Sequence, residues 1–171
     1  MPMSEINRKI HIQKEALKFS AAHMTVFSAK EKENLHGHNY SVEVSIEFSD
    51  YQLDKMISFA TLKAQMKQIC HEWDEKVLLP EKCPHLKVLS KDQTSIEFTL
   101  CDQRYLLPIA ETLLLPVDNV VTETLSELFC KRFTSALKKE TPKEPTLMGI
   151  KKIEVRVEEI PGQGASYSEN F

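Results

Sequence analysis

The sequence predicts an α+β domain in which an antiparallel sheet carries two helices on one face. Three observations lead there. Residues 10–23, 36–48 and 150–160 alternate apolar and polar side chains, the period of a half-buried strand. Residues 58–73, and a second stretch opening between Asp118 and Thr122, repeat apolar side chains at helical spacing. The strand runs gather at the two ends of the chain with the helices between them. The order is two strands, helix, hairpin, helix, two strands, which separates the two kinds of element as α+β folds do.

The chain of 171 residues suffices for one domain, 1–171, with a real core. Hydrophobic residues make up 42% and charged residues 27%, a soluble globular balance. A net charge of −3 points away from nucleic acid and from anionic membranes. No apolar run approaches membrane-spanning length, and residues 1–18 lack a signal-peptide core, so a cytoplasmic location is expected. Cys70, Cys83, Cys101 and Cys130 form no Cys-x-x-Cys pair and read as reduced packing thiols.

The first strand, 10–23, ends in Leu17, Phe19, Ala21 and His23 on one parity. Residues 24–34 form a loop whose Lys30-Glu31-Lys32-Glu33 run reads equally well as solvated surface. The second strand, about 36–48, puts Tyr40, Val42, Val44, Ile46 and Phe48 inward, and Ser49-Asp50 turns. Ser58 is a plausible N-cap for a helix through Trp73, with Phe59, Leu62, Met66, Ile69 and Trp73 on the buried face. Residues 73–80 read as a loop because of Pro80 and Pro84. Residues 95–107 read as a hairpin turning at Cys101-Asp102-Gln103, within an insertion of about 80–117. The second helix lines one side with Val121, Leu125, Leu128, Phe129 and Leu137, and ends before Pro142 and Pro145. The last long strand, about 150–160, points Ile153, Val155 and Val157 inward, and residues 162–167 turn and return.

Chemistry concentrates in Leu35-His36-Gly37-His38-Asn39-Tyr40. His36 and His38 share the parity of the apolar row, and His23 ends the apolar row of the first strand. Any one of them reads most simply as an ordinary histidine at a strand end. Three inward imidazoles with an open fourth position fit a catalytic zinc site better than a closed structural one. Glu159 continues the inward parity of the last strand, where a buried carboxylate needs a partner. The alternative is a fraying strand end at which parity has lost its meaning.

Phe19-Ser20-Ala21-Ala22-His23 followed by His36-Gly37-His38-Asn39-Tyr40 resembles the 6-pyruvoyl-tetrahydropterin synthase and 6-carboxy-tetrahydropterin synthase family over most of the chain. The resemblance implies the tunnelling fold: a four-stranded antiparallel sheet with two helices on one face. Such units assemble into a β-barrel homo-oligomer, commonly a trimer or hexamer. It implies Zn²⁺ held by His23, His36 and His38, and 7,8-dihydroneopterin triphosphate as the small-molecule pterin substrate. It implies that Glu159 anchors the pterin ring and that Thr122 and Glu123 complete the pocket.

The chain also departs from the family pattern. No cysteine precedes Cys70, whereas many members carry one shortly before the His-Gly-His motif. Glu33, three residues before His36, instead resembles a subgroup with glutamate in that role, whose product is 6-hydroxymethyl-dihydropterin. The family's Asp-His relay reads Asp74-Glu75, so Asp74 and Glu75 join Glu33 as acid/base candidates, with His71 and His85 nearby. The resemblance therefore implies a zinc-dependent lyase acting on the substrate side chain. Its 6-hydroxymethyl product is favoured and the 6-pyruvoyl product comes second. The alternatives are a zinc-containing pterin-binding protein without turnover, or a 6-carboxy-tetrahydropterin synthase of the queuosine pathway.

Overall fold

Alternation in the first two runs builds the centre of the molecule. In the computed structural model, which describes residues 8–48, 58–140 and 149–171, β1 (Arg8–His23) pairs antiparallel with β2 (His36–Phe48). Their register breaks between Gln13 and Lys18, where β1 carries extra residues. The extra residues reverse parity, so Ile12 before the break and Leu17 and Phe19 after it all face the core.

Helix α1 (Phe59–Trp73) starts at Ser58, whose hydroxyl accepts the Ala60 N–H at 3.1 Å. Leu62, Met66, Ile69 and Trp73 bury one face, while Phe59, expected with them, lies exposed in the first turn. β3 (Lys76–Pro80) follows, then β4 (Leu86–Lys91), β5 (Ser95–Leu100), β6 (Gln103–Pro108), a single 3-10 turn and β7 (Thr112–Leu115). Helix α2 (Thr122–Glu140) packs Leu125, Phe129, Phe133 and Leu137 inward, leaving Val121 and Leu128 half-buried. β8 (Ile150–Ile160) and β9 (Gln163–Asn170) close the chain.

The main sheet corrects the sequence reading. It has six strands rather than four, in the order β7-β3-β1-β2-β8-β9, and it is mixed rather than purely antiparallel. β3 runs parallel to the end of β1, and β7 parallel to β3. The stretch 76–80, read as a loop, is therefore a strand. The expected hairpin is present as β5–β6, but it belongs to a second, three-stranded sheet with β4. Two cores result. The larger lies between the main sheet and the helices, and the smaller joins Ile96, Phe98 and Leu100 of the second sheet to Met24, Leu79 and Cys83. Ser49-Asp50, Pro142 and Pro145 fall outside the described residues.

Candidate metal centre and substrate cavity

The strand ladder itself assembles the histidines. His23 and His36 stand directly opposite each other across β1 and β2, and His38 lies two residues along the same face. Their ring centroids are 4.6, 4.9 and 5.4 Å apart. One ring nitrogen from each can be chosen so that all lie within 4.8 Å of one another. His23 donates from Nδ1 to the Val120 carbonyl at 2.8 Å, and His36 from Nδ1 to the Asn34 carbonyl at 2.8 Å. A carbonyl can only accept, so these bonds place the proton on Nδ1 and leave the Nε2 lone pair free. His23 is 2% exposed, and its Nε2 is buried with no hydrogen-bond partner. Burial, followed by the neighbouring His36 and His38, pushes its pKa below the ordinary value. A buried, neutral imidazole with an unused lone pair suits a cation, and the three imidazoles can hold a metal ion.

A cavity of about 490 Å³ opens over these rings. Its lining includes all three histidines, Glu33, Glu159, Thr122 and Glu123, so most of the sequence-derived candidates come together. Glu33 Oε2 lies 3.8 Å from His36 Nε2, and Glu159 Oε2 lies 3.8 Å from His38 Nε2. The Thr25 hydroxyl, hydrogen-bonded to Glu33, holds that carboxyl below its ordinary range, with desolvation opposing and His36 adding to the effect. Glu159 sits at the irregular step of the β8–β9 pairing, and Gln163 donates from Nε2 to its Oε1. Its neighbour Glu158 instead accepts from Arg156 at 2.6 Å. Val121, Thr122 and Glu123 bring the N-terminal end of α2 to the cavity wall, the positive end of the helix dipole.

Asp74 and Glu75 are not among them. Asp74 caps α1 and accepts the Ser20 N–H on its carboxylate at 2.7 Å. Glu75, at φ 55, donates its N–H to the Ser20 carbonyl at 2.7 Å. Glu75 lines a different hollow of about 360 Å³ beside Ser20, His38, Asn39 and Glu111. His71 and His85 line neither space. Thr25 and Gln163, which sequence reading passed over, touch the two key carboxylates. Nothing in their local sequence marks them, because the contacts arise across a loop and a hairpin turn.

A family model described as 6-pyruvoyl tetrahydropterin synthase matches residues 11–170, and the chain belongs to that family. A Methanocaldococcus jannaschii protein named "Putative 6-carboxy-5,6,7,8-tetrahydropterin synthase" is 31% identical over 154 residues, covering 88% of this chain and 89% of its own length. A Pyrococcus horikoshii protein of the same name is 28% identical over 171 residues, covering 96% and 90%. The crystal structure of Plasmodium vivax 6-pyruvoyl tetrahydropterin synthase superposes with a TM-score of 0.86 at 23% identity, over 97% of this chain and 99% of that one. The Plasmodium falciparum enzyme gives 0.81 at 23% identity, over 96% and 99%. The P. vivax enzyme has also been solved with a catalytic glutamate changed to alanine or to cysteine. At this identity the superpositions establish the shared fold.

Proposed function

We propose that the protein is a zinc-dependent lyase acting on the three-carbon side chain of 7,8-dihydroneopterin triphosphate, with 6-hydroxymethyl-dihydropterin as its favoured product. The observation that carries this reading is one cavity holding the three imidazoles, the Glu33 carboxylate and the Glu159 carboxylate together. Zn²⁺ held by His23, His36 and His38 would supply Lewis-acid polarisation of the side-chain hydroxyls. Glu159 accepts from the guanidine-like edge of the pterin, a bidentate geometry that a carboxylate matches. Gln163 occupies one of its oxygens in the free protein. Thr122 and Glu123 complete the ring pocket.

Glu33 is the proton-transfer group. Its carboxyl is held ionised by Thr25, so it takes a side-chain proton briefly and returns it. The catalytic glutamate named for the P. vivax relative supports a carboxylate in this role. Glu75 acts from the hollow that reaches His38, and Asp74 supports that wall through its bond to the Ser20 N–H. Two sheet edges support assembly into a β-barrel homo-oligomer, a trimer or hexamer. Among the described residues, β9 has no strand partner on its outer side, and β3 covers only Ala21 and Ala22 of β1.

A second reading, a 6-carboxy-tetrahydropterin synthase, is favoured by the names of the two archaeal relatives. The two readings separate in one experiment. Zinc-loaded protein is incubated with dihydroneopterin triphosphate and the product identified by mass. The 6-hydroxymethyl pterin is expected, and the 6-carboxy product would establish the second reading. Absence of turnover would leave a pterin-binding protein. Glu33→Ala should lower turnover about 10²–10⁴-fold with zinc content unchanged. A rate equal to that of Glu31→Ala would remove Glu33 from the mechanism.

A further inference from the structure

We propose that Asn119 is a positioning residue that fixes the Glu33 loop in register over the histidines. This inference rests on the reading of Glu33 as the proton-transfer group. Loop 24–35 joins β1 to β2, and few bonds within it hold its shape. Val26 bridges Lys32, Glu33 donates its N–H to the Thr25 carbonyl at 2.9 Å, and Phe27 and Ser28 both donate to the Glu31 carbonyl. These bonds shape the loop, and none of them ties it to the rest of the molecule.

Asn119, three residues before α2, does so. Its Oδ1 accepts the Val26 N–H at 3.0 Å, and its Nδ2 donates to the Val26 carbonyl at 2.9 Å. A single amide thus pairs with both backbone groups of Val26, as a neighbouring strand would. The same Oδ1 accepts the Val120 N–H at 3.1 Å, and the Asn119 carbonyl accepts the Thr124 hydroxyl at 2.6 Å. The residue is therefore locked into the start of α2. Val120 in turn holds His23 through its carbonyl. One side chain sets the distance between the loop bearing Glu33 and the strand end bearing His23, although it touches neither. Asn suits the position because an amide carries an acceptor and a donor together, whereas a carboxylate would face the Val26 carbonyl without a proton to offer.

The second sheet braces the far side of the same loop. Cys101 donates from Sγ to the Ser28 carbonyl at 3.3 Å, and Lys32 lies 5.3 Å over the Tyr105 ring. That brace holds Ser28 and Lys32, whereas Asn119 pairs with both backbone groups of Val26, next to Thr25.

Asn119→Asp is the discriminating variant, because it keeps both bonds to Oδ1 and the support of His23 while removing the donor to Val26. Misplacing a reacting group by about 1 Å can cost on the order of 10²-fold, so kcat should fall by roughly that factor while KM and zinc content stay unchanged. Added to Glu33→Gln, the substitution should cause no further loss, because nothing remains for it to position. Hydrogen exchange should quicken at amides 25–33 and not along β2. Normal kcat in Asn119→Asp beside an impaired Glu33→Gln overturns the inference, as does a full additional loss in the double variant. Normal turnover in Glu33→Gln would instead remove the reading of Glu33. Exchange then decides the clamp alone: an unchanged loop in Asn119→Asp overturns it.

Discussion

His23 shows how one side chain can be costly by itself and useful in company. Its buried Nε2 has no donor to satisfy it, and burying such an atom without a partner is unfavourable by about 1–3 kcal/mol. A cation at the site removes that penalty. We expect about one zinc per purified chain, and loss of most of it in His38→Ala, measured by elemental analysis. Full retention in a variant lacking all three imidazoles would contradict the assignment. The two adjacent glutamates divide in the same local way. Glu158 is engaged by Arg156, whereas Glu159 lines the cavity. Glu159→Gln should weaken pterin binding by 10-fold or more with zinc retained, an effect on the order of 1.5–3 kcal/mol for a charged hydrogen bond. Titration calorimetry on both variants checks it, since a larger effect of Glu158→Gln would reverse the assignment.

The β8–β9 hairpin depends on a glycine that packing, rather than backbone angle, requires. A Cβ at Gly164 would lie 2.3 Å from the Val157 carbonyl oxygen and 2.7 Å from the Glu158 Cα. Gly164→Ala must push the strands apart beside Glu159. It should cost roughly 1–3 kcal/mol by thermal or urea unfolding, in the range of overpacked substitutions. Gly162→Ala would meet nothing within 4 Å, and its strain comes only from φ +86°. Such pairwise crowding cannot be seen in a sequence. The long alternating strands could be read, because β2 and β8 repeat their period many times over a one-sided core. So could the histidines, since strand parity carried His36 and His38 inward with Tyr40. β3 and β7 could not. They are short, β7 is a plain Thr-Leu-Leu-Leu run without alternation, and their pairing is parallel and distant in sequence. Asp74 and Glu75 entered from the family's relay pattern, which does not say which hollow a residue faces: Asp74 caps α1 and Glu75 lines the hollow beside Ser20 and His38.

Across the whole molecule the larger core governs how stability responds to base. Cys70 and Cys130 lie buried in it, and burial, the leading cause for each, pushes their thiols up to about 12. An unfolded thiol ionises near 9.0. Between those values the unfolded chain has released protons that the folded chain keeps, so stability falls as pH rises from about 9 toward 12. Below 9 neither state is ionised and the contribution is intact. Unfolding midpoints should therefore drop on the alkaline side, and Cys70→Ala should make that limb shallower. A thiol reagent at pH 8 should leave both groups untouched while the protein is native. The register of the main sheet has a consequence for biosynthesis. β2 takes β8 as its second neighbour, with Val42 against Val157. On a ribosome, β1 and β2 emerge early and must wait for both helices and the whole second sheet to be translated before that edge is covered. Until then a nascent chain exposes a long strand with an apolar face and unpaired backbone groups, the surface that chaperones and aggregation compete for.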